Sequence, residues 1–130
     1  MRRGDSMKTR AGFNEVFVKL RDILRPYAGR MVVVADTKAL YYLNTHYIWP
    51  KNKKPAFFGA ARIGKSYVSF HLMPVYAYPE LLRNASPALR KHMQGKSCFN
   101  FTTVERALFA ELRRLTREGY RRFKSDGFLG

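Results

Sequence analysis

PAFFGAARIGKSYVSFHLMPVY at residues 55–76, completed by GKSCFNF at residues 95–101, is the stretch that decides the fold. Two runs rich in aromatic and β-branched residues flank Gly64, which predicts two strands joined by a tight hairpin turn. We expect Gly64 to supply the positive φ that such a turn requires. The last segment, GKSCFNF, predicts one more strand of the same sheet.

Side chains alternate between the two faces of a strand, so each predicted strand can be divided into two sets. In the second strand of the hairpin the apolar set, predicted to face the core, is Val68, Phe70 and Leu72, and the more polar set is Tyr67, Ser69 and His71. In the last strand Cys98 and Asn100 share one face, and Phe99 and Phe101 share the other. The polar sets are therefore predicted to line a groove on the sheet.

Two further strands are predicted upstream, MVVVAD at residues 31–36 and ALYYLN at residues 39–44, joined by a short turn. Because Tyr41 and Tyr42 are adjacent, they must point to opposite faces. One of these two tyrosines is therefore expected to meet solvent or a ligand.

Helices are predicted at both ends of the chain. Residues 12–27 carry an apolar stripe at spacings of three and four, formed by Phe13, Val16, Phe17, Leu20, Leu24 and Tyr27. A second stripe near the C-terminus comprises Val104, Leu108, Leu112, Leu115 and Phe123. The segment from Thr102 to Glu105 fits a capping box for this second helix.

These elements predict an α+β fold in which an antiparallel sheet of about five strands is flanked by N- and C-terminal helices. Residues 12–124 would form the single domain. Residues 1–11 are predicted to be a mobile basic arm and residues 125–130 a C-terminal tail.

Charge is the strongest compositional signal. The 130 residues include 25 Lys and Arg against 9 Asp and Glu, a net charge of +16. Such a chain attracts nucleic acid and other polyanions, although like-charge repulsion for solubility would give the same excess. The predicted polyanion-binding residues are Lys51, Lys53 and Lys54 in a loop that also holds Trp49, and Arg106, Arg113, Arg117, Arg121 and Lys124 along one face of the last helix.

No catalytic motif stands out, so we do not predict an enzyme, a metal site or a cofactor. A pocket on the sheet is predicted around Tyr41, Tyr67, His71 and Cys98. Cys98 could act as a nucleophile only with a base beside it, and a buried structural thiol is the alternative interpretation. The single cysteine and the absence of an apolar signal core or spanning segment predict a cytoplasmic protein without a membrane partner.

YVSFHLMPVY at residues 67–76, GKSCFNF and the helix ALFAELRRLTREGY at residues 107–120 resemble the domain-of-unknown-function family 1801, the YdhG-like group. The resemblance implies a frataxin-like sheet flanked by terminal helices, and some relatives are described as iron chaperones. Frataxin-type iron binding uses an acidic ridge on the first helix and strand, where this chain offers only Glu15, Asp22 and Asp36.

The resulting hypothesis is a small basic binding protein that engages nucleic acid or another polyanion. The alternative is an intracellular small-ligand or iron chaperone of the frataxin-like type, with its pocket on the sheet.

Overall fold

The fold is taken from a computed structural model, which describes the backbone of residues 2–129 and the side chains of residues 12–129. Its α-helices are α1 (Arg2–Leu24), α2 (Met73–Ala77), α3 (Pro87–Arg90) and α4 (Arg106–Ser125), and two 3-10 helices span Arg25–Arg30 and Pro79–Asn84. Its strands are β1 (Val32–Asp36), β2 (Leu40–Ile48), β3 (Pro55–Ile63), β4 (Val68–Leu72) and β5 (Cys98–Phe101).

The strands form one five-stranded sheet whose spatial order, β1-β2-β3-β4-β5, is the order of the sequence. Each neighbouring pair is antiparallel. Met93 bridges Phe99 at the outer edge of β5, so that edge is partly covered, whereas β1 exposes Val34 on its own edge. The predicted α+β class, with an antiparallel sheet between terminal helices, is confirmed.

The core lies between the helices and one face of the sheet. Val16, Leu20 and Leu24 of α1 are fully buried, and Leu112 and Phe123 of α4 are buried with them. Both predicted apolar stripes are therefore confirmed at these positions. Each fully buried Leu or Val side chain contributes about 1.5–3 kcal/mol of transfer free energy, which fixes these helices on the sheet.

The starts of the two long helices differ from the prediction. Helix α1 begins at Arg2, before the predicted start at residue 12. The side chains of residues 1–11 lie outside the described residues, and the mobility of that arm stays a prediction. Helix α4 begins at Arg106, with Glu105 at the cap position and no side-chain cap hydrogen bond. The predicted capping box is wrong because Glu105 precedes the helix instead of lying three residues inside it.

The hairpin turn between β3 and β4 forms without the predicted backbone conformation. Gly64 does not have a positive φ, which among the described glycines is found at Gly95 and Gly127. The Gly64 N–H donates to the Tyr67 carbonyl over 2.8 Å. A Cβ on Gly64 would lie 3.1 Å from that oxygen, so a close approach, and not a positive φ, favours glycine here.

Ser86 caps the start of α3. Its hydroxyl accepts from the Leu89 N–H over 3.1 Å, and Pro87 occupies the first turn of α3.

Candidate functional site

The outward face of α4 carries the five basic residues predicted there. All five are exposed: Arg106, Arg113, Arg117, Arg121 and Lys124. At 100° per residue these positions fall within an arc of about 80°, roughly opposite the buried stripe. We call this set the basic face of α4.

Acidic residues of α4 lie on its flank, away from the basic face. Glu111 accepts hydrogen bonds from the N–H and hydroxyl of Ser86 over 2.9 and 2.7 Å, so its charge is used to hold the start of α3. Among residues 12–129, the ion pairs involve Arg21, Arg25 and Arg122, and none involves the basic face. The field of the basic face is therefore not neutralised by these carboxylates.

Helix α1 extends the positive surface. Lys19 lines a shallow groove of about 220 Å³ together with Arg106 and Arg113 of α4, and Phe109 and Val104 lie beside them. A phosphate in this groove would have cations from both helices beside it. Sequence analysis did not predict Lys19, because nothing local indicates that α1 and α4 pack side by side.

The three predicted loop lysines, Lys51, Lys53 and Lys54, are exposed between β2 and β3. We call residues 49–54 the lysine loop. Trp49 closes it, since its N–H donates to the Lys54 carbonyl and its own carbonyl accepts from the Lys53 N–H, both over 2.8 Å.

Trp49 connects the lysine loop to the end of α4. Its ring lies 5.4 Å from the ring of Phe128, which follows α4, and Phe128 in turn lies 4.7 Å from Phe123. Asp126 accepts a hydrogen bond from the Tyr78 hydroxyl. The segment predicted to be a C-terminal tail thus packs on the domain, and the loop lysines lie near the Lys124 end of the basic face.

A second candidate site lies on the sheet face opposite the helices. Tyr67, His71 and Cys98, three of the four predicted pocket residues, line one groove of about 460 Å³ there. Tyr41 does not join them. It is only 2% exposed, and the Arg25 guanidinium of the helical layer lies 5.8 Å from its ring centroid.

The pocket prediction is therefore wrong for Tyr41, and strand register explains why. Tyr42 pairs with Ala60, Ala60 with His71, and His71 with Cys98, so these residues form one row across the sheet. Neighbours along a strand point to opposite faces, which leaves Tyr41 in the core and Tyr42 on the open face. We call the side of the sheet that carries this row the open face.

Cys98 and His71 are neighbours on the open face, with the thiol sulfur 3.5 Å from His71 Nε2. Burial raises the pKa of the Cys98 thiol, although Ser69 acts in the opposite direction. Burial, and then the Arg62 charge, lower the pKa of His71. Both shifts favour the neutral thiol and the neutral imidazole, so the Cys98 thiolate is not stabilised at this site.

The groove that contains Cys98 has a hydrogen-bonded polar floor. The Ser69 hydroxyl donates to Asn100 Oδ1 over 2.9 Å, and the Asn100 amide donates to Gln94 Oε1 over 2.9 Å. Lys65 and Arg62 also line this groove. It therefore offers fixed polar groups beside two cations.

An apolar groove of about 510 Å³ adjoins the polar one, lined by Leu40, Tyr42, Phe57 and Ala60. Arg62 and His71 line both grooves. The ring centroids of Tyr42 and Phe57 lie 4.8 Å apart. Sequence analysis missed Phe57 and Arg62. Alternation along β3 could not have revealed Phe57, because the register shifts between β2 and β3 near that residue. Arg62 pairs with Ser69 in regular register and shares its face with Ala60, so alternation was the signal that could have found it.

Within the described part of the chain, no three side chains of His, Cys, Asp or Glu are grouped closely enough to hold a metal ion. No helix in residues 2–129 combines the length and apolar character needed to cross a membrane.

No family model, curated protein or solved structure matches this chain. The resemblance to the domain-of-unknown-function family 1801 consequently stays a prediction.

Proposed function

We propose that this protein binds nucleic acid, or another polyanion of similar charge density, through the basic face of α4 and the lysine loop. The observation that carries the proposal is the placement of five exposed cations on one outward helix face with no acid among them. Contacts of this kind go to phosphates and position the partner without reading its sequence. The cytoplasmic location expected from the sequence stays part of this proposal.

The affinity for DNA should depend strongly on salt concentration. If the five side chains of the basic face each neutralise one phosphate, the logarithm of the association constant should fall with the logarithm of salt concentration at a slope of about −4 to −5 for duplex DNA. Affinity would then drop by roughly 10²–10³-fold between about 50 and about 200 mM salt.

Charge reversal within the basic face tests the proposal. We expect the Arg113→Glu, Arg117→Glu double variant to weaken binding of a fluorescent DNA duplex and to flatten its salt dependence, as measured by anisotropy. The matched control is Lys38→Glu, Lys91→Glu, two exposed sites outside the basic face and the lysine loop that lower the net charge equally. Equal weakening in both double variants would show a response to total charge alone and would contradict the proposal.

The alternative, a frataxin-like chaperone for a small ligand, is supported by the groove on the open face. Iron as that ligand fits less well. Hard cations prefer carboxylate oxygens, and the described residues that line the groove supply a thiol, an imidazole and neutral amides but no carboxylate. We therefore propose no iron-binding step.

A further inference from the structure

We infer that the open face of the sheet is a second nucleic-acid site, which takes a single-stranded segment with bases against Tyr42 and Phe57 and phosphates beside Arg62. This inference goes beyond the proposed function, because it concerns a different surface of the molecule and a partner whose bases are unpaired.

The two grooves on this face match the two parts of a nucleotide. Tyr42 and Phe57 are partly exposed aromatic side chains in the apolar groove, where a planar base can stack. The adjoining polar groove offers Arg62 and Lys65 to a phosphate, and the Ser69–Asn100–Gln94 chain to sugar or base edges. Because Arg62 lines both grooves, base and phosphate sites are contiguous.

The charge of the open face suits an anionic partner. None of the described residues that line the two grooves is acidic. Asp36, at the end of β1, lies 3.6 Å from the Arg25 guanidinium, which packs over the core side of the sheet. A bound phosphate would therefore meet Arg62 and Lys65 without a competing carboxylate from these residues.

The dimensions of the face favour a strand over a single nucleotide. Tyr42 on β2 and Cys98 on β5 are separated by three strand spacings, about 14 Å at roughly 4.8 Å each. Successive stacked nucleotides repeat at about 3.4 Å along a strand, so the face has room for more than one. Bases in a duplex are paired and stacked on each other, so only a single strand can place them on aromatic side chains.

The open face and the basic face lie on opposite sides of the protein. Phe123 and Phe109 of α4 contact Phe58 and Phe101 on the core side of the sheet, with ring centroids 5.8 and 4.9 Å apart, so the outward residues of α4 point away from it. Arg62 and Arg117 are thus separated by the sheet and a helix. Substitutions on one surface should leave binding at the other unchanged, which makes the two sites separable by experiment.

The test measures anisotropy with a labelled single-stranded oligonucleotide, its duplex as comparison, and a mononucleotide as competitor. We expect Tyr42→Leu, Phe57→Leu to bind the single strand at least about fivefold more weakly, since stacking is lost while charge is unchanged. Its salt slope should stay the same. The matched control Tyr76→Leu removes an exposed tyrosine that does not line either groove and should bind normally.

Arg62→Gln provides an independent variant, because Arg62 is exposed and its removal should leave the core intact. We expect it to reduce the salt slope for the single strand by about one phosphate contact. If the double leucine variant fails to fold, this slope decides the question, and an unchanged slope overturns the inference.

The possible results separate this inference from the proposed function. Single-strand binding that survives the leucine variant but is lost in Arg113→Glu, Arg117→Glu would overturn the inference and leave the proposed function standing. The reverse pattern would support the inference against the proposed function. A mononucleotide that competes as well as the oligonucleotide, mole for mole, would also overturn it, since the site would then recognise a small nucleotide ligand.

Discussion

Gly119, in the buried face of α4, provides the sharpest test of how this fold is packed. Substituting alanine for glycine inside a helix ordinarily stabilises a protein, by about 1 kcal/mol, because glycine has the greater conformational freedom when unfolded. Here the structure predicts the opposite sign. An ideal Cβ on Gly119 would lie 2.6 Å from Pro74 Cβ and 2.9 Å from Pro74 Cγ.

The loss of stability in Gly119→Ala depends on how easily Pro74 can move away from the added methyl group. Pro74 belongs to α2, and its ring atoms cannot rotate away as the end of a flexible side chain could. Overpacking of this kind costs about 1–3 kcal/mol, and the rigid neighbour places Gly119→Ala in the upper part of that range. After the helical gain of about 1 kcal/mol, the net loss should be about 1–2 kcal/mol. For a chain of this size that corresponds to a fall in Tm of about 4–8 °C.

Urea unfolding followed by circular dichroism measures the change in the free energy of unfolding. Gly12→Ala is the matched control, because Gly12 is also helical but has nothing within 4 Å of an added Cβ. We expect the control to be as stable as the parent chain or more stable, by up to about 1 kcal/mol. A Gly119→Ala variant that gains stability like the control would refute the close approach of α4 to α2.

Three further predictions follow from the core and the titratable groups. Leu112→Ala should lower the free energy of unfolding by about 2–5 kcal/mol, seen as a lower urea midpoint, because Leu112 is fully buried. Burial, with the hydrogen bond to Asp126 and its charge, raises the pKa of Tyr78 to about 12. The folded state therefore holds this proton longer than the unfolded state, and stability should fall as pH rises from 10.0 to about 12. Tyr78→Phe should reduce that fall in urea midpoints and remove the latest tyrosine ionisation seen by ultraviolet absorbance; an unaltered titration would contradict the assignment. Because burial raises the pKa of Cys98, iodoacetamide should modify the folded protein at pH about 8 more slowly than the urea-unfolded chain. Modification that is faster in the folded state would instead indicate an activated thiol.

Local periodicity accounts for what could be predicted. The apolar stripe of α1 and the alternation of Val68, Phe70 and Leu72 in β4 are short-range patterns, and the structure buries these residues as expected. Ser86 also behaves as a local cap. The capping box at Glu105 failed even though its motif is local, because where a helix begins depends on the packing of the chain that precedes it.

Of the two candidate sites, one depends on local sequence and the other on strand pairing. The basic face of α4 could be read from spacing alone, since a single helix carries it. The open face could not, because its residues come from four strands and the row Tyr42–Ala60–His71–Cys98 exists only once register is established. Whether Tyr42 or Tyr41 lies on the open face depends on a shift of one residue in register, because such a shift moves every side chain of a strand to the other face.

The amino-acid sequence by itself determined the approximate places of the long helices and of the strands, the apolar sides of α1, α4 and β4, and the net charge of the molecule. These properties depend on neighbours within a few residues and on total charge. Only the tertiary structure decided which side chains meet across strands, that α4 approaches α2 closely at Gly119, and that Lys19 of α1 lies beside the basic face. Such contacts join residues that are far apart along the chain, and no local pattern encodes the distance between them.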